Sequence, residues 1–176
     1  VRVRPFGGRL EAPQISGLAE LAGQHGNGLI DVTSRANLQI RGVSEEGHRP
    51  LIDGLARLAL LDPDPATEAR RNILVTPFWR AGVATQSLAA ELEEALEDNS
   101  LALPTKFGFA IDDGKSRVLA GDSADIRIER DRTGHLLVRA DGAKLGRSVA
   151  RGEAVSTALA LASWFLVSGG ATGGRG

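Results

Sequence analysis

Residues 31–41, DVTSRANLQIR, alternate two kinds of side chain. The odd positions are Asp31, Thr33, Arg35, Asn37, Gln39 and Arg41; the even positions are Val32, Ser34, Ala36, Leu38 and Ile40. Read as part of one long strand over 28–42, this puts the long hydrogen-bonding side chains on one face and small or apolar ones on the other. Same-face neighbours on a strand stand roughly 6.6 Å apart, so four or five of them span a ligand of macrocycle size. Arg2 and Arg4, in VRVRPF, add two guanidiniums to one face of a second strand. Guanidinium forks held on a rigid sheet suit carboxylate recognition. The competing reading is a half-exposed antiparallel strand with its polar face in water, the arginines paired across strands with Asp31 or Glu11.

LPTKFGFAID, residues 103–112, reads as a further strand. Lys106, Gly108 and Ala110 then share one face, and Phe107, Phe109 and Ile111 the other. A cation beside two nearly absent side chains leaves room for a flat ligand, because glycine in a strand often marks close approach. The alternative is a surface lysine on a twisted edge strand. Arg71-Asn72 opens a short apolar strand, RNILVTPF, where two lobes would meet; Arg71 alone reads first as a lobe-bridging ion pair.

Other chemistries find little support. The 176 residues carry 21 Lys+Arg against 22 Asp+Glu, so the net charge of -1 gives no electrostatic case for a nucleic-acid partner. Aromatics are 4% with no tyrosine, thin for stacking bases. Cysteine is absent, which excludes a disulfide scaffold, a Cys nucleophile, Cys-ligated zinc and an iron–sulfur cluster held by this chain alone. His25, His48 and His135 lack metal-ligand spacing. Neither a dinucleotide fingerprint nor a phosphate loop is present; the glycines from Gly169 to Gly174 follow a helix rather than a strand. No run approaches bilayer length and no signal-peptide pattern opens the chain, so a cytoplasmic protein without a membrane partner is expected.

The elements that must position these residues follow from periodicity. Strands are expected at 1–4, 28–42, 71–78 and 103–112, with a hairpin of ADIRIER and HLLVRAD around Asp131–Gly134. Helices are expected at 13–25, 45–60 with Ser44 as N-cap, 85–98 with a solvated acidic outer face of Glu91, Glu93, Glu94, Glu97 and Asp98, and 152–167. LDPDPATEA, residues 61–69, reads as an extended linker stiffened by prolines. The fold class is α+β, with units at 1–65 and 66–168 and a Gly-rich tail at 169–176.

Three ordered motifs resemble one family. VRVRPFGGRLEAPQISGLAELAGQHGNGLIDVTSRANLQIRGV resembles the ferredoxin-like half-domain of the siroheme sulfite and nitrite reductases. RNILVTPF resembles the Arg-Asn motif that starts their next domain, an α/β siroheme-reductase-type domain, and LPTKFGFAIDDG their Leu-Pro-x-Lys-Phe motif. By motif, Arg4, Arg35, Arg71 and Lys106 match the family's basic cofactor- or anion-facing positions; periodicity adds Asn37, Gln39 and Arg41. The resemblance implies a tetrapyrrole ligand for these residues and identifies no catalytic residue.

In detail the chain is more similar to the cobalamin-biosynthetic branch of that superfamily, whose substrate is the carboxylate-rich precorrin-3A. Sulfite reductases carry basic residues on both sides of the Lys-Phe pair, where this chain has Thr105 and Gly108. The branch uses dioxygen to hydroxylate the macrocycle and form a lactone before ring contraction. Family members contain two repeats and hold a [4Fe-4S] cluster through cysteines of the second half; a non-haem iron, or siroheme in a reductase, completes the implied cofactors. The expectation is therefore an N-terminal repeat whose partner is the second repeat of the same polypeptide, inactive by itself and prone to self-association. A reductase fragment and a non-enzymatic tetrapyrrole- or anion-binding module are the alternatives.

Overall fold

The computed structural model describes residues 1–80 and 84–171. The chain divides into two compact units, Val1–Glu68 and Ala69–Gly176. Both mix helices with sheets, so the class is α+β. Of the Gly-rich tail expected at 169–176, residues 172–176 lie outside the described residues.

The first unit carries β1 (Arg2–Val3), α1 (Ala12–His25), β2 (Ile30–Val32), β3 (Leu38–Ile40) and α2 (Glu45–Arg57). Its antiparallel sheet has the order β1-β3-β2. Pro13 lies in the first turn of α1, where a missing N–H costs nothing, and the Gln14 amide oxygen accepts from Glu11 N at 2.9 Å. Ser44 caps α2 as expected, its hydroxyl accepting from Gly47 N at 3.1 Å. The helices bury Leu18, Leu21, Ala22, Leu51 and Leu55 against Val3 and Ile40 of the sheet. A methyl group on Gly54 would run into Leu21, so glycine permits the α1–α2 approach.

The expected long strand at 28–42 is instead a hairpin. β2 and β3 pair with each other, and residues 33–37 turn between them. The Thr33 hydroxyl oxygen accepts from Asn37 N at 3.2 Å, and Thr33 N donates to Asn37 O at 2.8 Å. Ala36 takes a left-handed conformation, φ 52, to close the turn. A threonine hydroxyl competing for main-chain hydrogen bonds therefore ends the strand.

The expected extended linker contains a helix, α3 (Pro65–Arg70). Asp64 caps it by accepting from Ala66 N at 2.8 Å and Thr67 N at 2.9 Å, and Pro65 stands at its first position.

The second unit contains β4 (Ile73–Val75), α4 (Thr85–Glu97), β5 (Phe109–Asp112), β6 (Ile126–Arg130), β7 (Leu136–Ala140), β8 (Arg147–Ser148) and α5 (Ala154–Val167). The sheet order is β4-β5-β6-β7-β8; β4, β5 and β6 are parallel, and β7 and β8 continue antiparallel. One face carries Phe109, Ile111, Ile126, Ile128 and Val138, which pack with Leu88 and Leu92 of α4 and the alanine stripe Ala154, Ala158 and Ala162 of α5. The opposite face is charged yet buried. Arg127 donates to Asp141 Oδ1 at 2.6 Å, Leu119 O at 2.8 Å and Asp122 O at 2.6 Å. Glu129 accepts from Arg139 Nε at 2.7 Å and pairs with Arg117 at 3.0 Å. Such charges are tolerated inside because nearly every donor and acceptor is matched.

The strand expected over 103–112 begins only at Phe109. Pro104 has no N–H for a ladder, and Phe107 N donates to Pro104 O at 2.8 Å, closing a turn that contains Lys106. Lys106, Gly108 and Ala110 therefore do not share a strand face.

Candidate functional site

In the first unit the polar parity of residues 31–41 survives the break in the strand. Asp31 pairs in register with Gln39, and Gln39 with Arg2, so these three side chains share one sheet face. Val3, Leu38 and Val32 form the adjacent row, on the opposite face. Arg41 lies just beyond β3 and reaches back to Asp31, with Nη2 at 2.6 Å and Nε at 2.7 Å from Oδ2. Cross-strand pairing, the competing reading, thus holds for Arg41. Arg35 is half-buried at the apex of the hairpin turn, and its guanidinium makes no ion pair among the described residues. Asn37 is buried and Gln39 half-buried; neither carboxamide makes a hydrogen bond among the described residues.

Arg4 does not share the exposed face with Arg2. It lies past the end of β1, is 5% exposed, and donates from Nε to Glu68 Oε1 at 2.8 Å. Proline at residue 5 and the 3-10 turn Phe6–Gly8 end the strand and release Arg4 from its alternation.

In the second unit Arg71 is 4% exposed and pairs with Glu93 at 3.2 Å. Glu93 belongs to the helix face expected to be solvated, but its side chain is 12% exposed because it meets Arg71. Of that acidic face, Glu91 holds Arg151 through both carboxylate oxygens at 2.7 Å, and this guanidinium keeps its carboxyl below the usual range. Lys106 is exposed, without an ion pair among the described residues.

Gly108 has a different purpose from the one expected. The space its missing side chain leaves is taken by Asn72: a Cβ at residue 108 would stand 2.8 Å from Asn72 Nδ2. That amide donates to Phe107 O at 3.3 Å, and Phe109 N donates to Asn72 O at 2.8 Å. Asp125 Oδ2 accepts from Gly108 N at 2.8 Å. The glycine thus lets the Arg-Asn and Lys-Phe motifs lock together, and the lock fixes the backbone beside Lys106.

An iron–sulfur cluster does not fit the residues of this chain. Cysteine is absent, and among the described residues no three His, Asp or Glu side chains gather as a metal site. His135 instead contacts the Thr133 hydroxyl at 2.7 Å in the β6–β7 turn. Among the described residues no helix is long and apolar enough to cross a membrane.

Sequence reasoning passed over the buried network on the second sheet. Arg127 and Glu129 alternate with Ile126 and Ile128, the pattern of a strand with one apolar and one charged face, and the alternation carries no sign that the charged face is buried. Asp112 lies beside Glu129 across the parallel pair. Burial pushes its carboxyl above the usual range, and the neighbouring Glu129 charge adds to this against the hydrogen bond from Leu119 N.

Comparison with known proteins places these elements. Residues 1–58 match the nitrite/sulfite reductase ferredoxin-like half domain. The chain is 33% identical over 146 residues to a Sinorhizobium protein named precorrin-3B synthase, covering 73% of this chain and 28% of that one. It is 28% identical over 136 residues to the ferredoxin–nitrite reductase of Synechococcus elongatus, covering 71% of this chain and 27% of that one. The chain thus spans little more than a quarter of the length of these curated relatives. Residues 1–58 thus resemble the nitrite/sulfite reductase ferredoxin-like half domain, and similarity to both proteins extends well beyond it.

Proposed function

We propose that this chain is the N-terminal repeat of a longer oxygenase of the precorrin-3B synthase type, which hydroxylates precorrin-3A to precorrin-3B, forming a lactone before ring contraction. The observation that carries this reading is the 33% identity to precorrin-3B synthase over 146 residues, which runs far past the half domain shared by the whole superfamily. The Lys-Phe motif supports it. Thr105 and Gly108 supply no cation beside Lys106, and the space at Gly108 belongs to Asn72. That is a poor setting for a small inorganic anion and an open one for the carboxylates of a large acid.

In this reading, of the candidate site cations, those that meet tetrapyrrole carboxylates are Arg35 in the first unit and Lys106 in the second, neither of which makes an ion pair among the described residues. Asn37 and Gln39 add neutral amides beside Arg35. Arg41, Arg4 and Arg71 are held by Asp31, Glu68 and Glu93, and act mainly by shaping the backbone around the others. The iron–sulfur cluster and other iron belong to the remainder of the polypeptide, and the chain alone is inactive.

Turnover by the full-length protein tests the assignment. Oxygen-dependent conversion of precorrin-3A is expected, without siroheme absorption bands. Siroheme bands with sulfite or nitrite reduction would establish the second reading, a reductase fragment, which the Synechococcus relative supports. Stoichiometric iron and precorrin-3A conversion by the isolated 176-residue chain would reject the assignment of the chemistry to the rest of the polypeptide.

A further inference from the structure

Arg71 and Lys106 precede β4 and β5; a second constellation stands at the other ends of the same two strands. Thr76 follows β4 and Asp113 follows β5. A cavity of about 610 Å³ opens there, with Thr76, Phe78, Arg80, Asp113, Lys115 and Arg130 among its walls. The crevice outside the carboxyl ends of parallel strands is where open α/β sheets take ligands.

The floor of this cavity is polar and incompletely satisfied. Asp113 and Thr76 are both buried. Asp113 Oδ1 accepts from the Thr85 hydroxyl at 2.6 Å, but Oδ2 has no hydrogen bond. The Arg130 guanidinium stays 3.8 Å from Oδ2, because its Nε donates to Asp113 O and its Nη1 to Gly134 O. The Thr76 hydroxyl also lacks a partner. Leaving a buried carboxylate oxygen and a hydroxyl unmatched is costly, so the floor favours a ligand that brings N–H or O–H donors.

The mouth has the opposite character. Lys115 and Arg80 are exposed and make no ion pair among the described residues. An adjoining groove shares Lys115 and Arg130 with the cavity and adds the exposed Arg132, equally without an ion pair among the described residues. Phe78, 73% exposed, offers a flat apolar wall between floor and mouth. A matching ligand has a donor edge, a flat body and an anionic tail.

We propose that this cavity binds a mononucleotide, the base edge donating to Asp113 Oδ2 and Thr76 Oγ1 and the phosphate meeting Lys115 and Arg132. Guanine supplies two adjacent N–H donors on one edge, so guanosine monophosphate is the probe. Calorimetric titration of the 176-residue chain with guanosine monophosphate, guanosine, ribose 5-phosphate and inorganic phosphate is the experiment. One saturable site for the nucleotide is expected, with each of the three part-ligands about tenfold or more weaker. Asp113→Asn and Lys115→Ala should each weaken the nucleotide about tenfold, as for the loss of one charge-assisted hydrogen bond. Thr76→Val removes an unmatched hydroxyl, so it should weaken binding without loss of stability; with Lys115→Ala it keeps the test decisive should Asp113→Asn fail to fold. Nucleotide binding that is absent, no tighter than inorganic phosphate, or unmoved by Lys115→Ala and Thr76→Val would overturn the proposal.

Discussion

Asn72 donates from its side-chain amide to the carbonyl oxygen of Phe107 at 3.3 Å, and the same amide fills the volume a side chain at residue 108 would need. Two short motifs far apart in sequence are thereby one structural unit. Gly108→Ala should destabilise the protein by about 1–3 kcal/mol, because Asn72 is held by the Phe107 carbonyl on one side and its own main chain on the other. In the Asn72→Ala background the same substitution should cost much less. Denaturant unfolding of the single and double variants reads the coupling; additive costs would show that the two positions do not share this space.

Removing Glu93 takes an acid partner from a buried guanidinium. Glu93→Ala should lower stability by about 3 kcal/mol, since Arg71 has little access to water. Lys106→Ala, at an exposed site, should leave the unfolding midpoint within experimental error. Equal effects of the two substitutions would contradict the distinction drawn between a held and an available cation.

Asp112 sets a pH dependence. Its folded carboxyl titrates above the ordinary value, chiefly because it is buried. Its contribution to stability is therefore fully present below the unfolded value and is lost as pH rises through the raised folded one. Asp112→Asn keeps an acceptor for Leu119 N and removes the charge beside Glu129. The variant should gain stability relative to the parent at neutral pH, and the difference should shrink as pH falls through the raised folded value and be gone below about 4, roughly the unfolded carboxylate range. A difference independent of pH would exclude this titration as its source.

Ala36 holds φ 52 in the turn that carries Arg35. Glycine adopts that conformation without a Cβ clash, so Ala36→Gly should stabilise the protein by roughly 0.5–1 kcal/mol despite its greater freedom when unfolded. Thermal unfolding checks the sign; a loss of stability would mean that the turn is unstrained.

Much of this was legible in residue order because it depends on local pattern. Ser44 before an amphipathic run, the Asp131–Gly134 turn between alternating segments and the polar–apolar alternation of 31–41 each declare themselves. The last survived an error: the hairpin pairs Ile30 with Ile40, Asp31 with Gln39 and Val32 with Leu38, so odd positions still face odd ones although the strand folds back at Arg35. Thr33 as the turn's acceptor and Asp64-Pro65 as a helix start were readable in principle, and were hidden by the continuity of the patterns around them. What residue order does not carry is which acid meets which arginine. Glu68 for Arg4, Glu93 for Arg71 and Asp31 for Arg41 depend on tertiary placement, and that pairing separates held cations from available ones. Gly108 misled for the same reason: the group that approaches it is another part of the chain.

Affinity of the full-length protein for its carboxylated tetrapyrrole, compared among the parent, Arg35→Ala and Lys106→Ala, tests the functional reading at its root. Each substitution should weaken binding several-fold or more, as expected for one lost charge-assisted hydrogen bond, while the unfolding midpoint stays in place. Unchanged affinity in both variants would contradict the account.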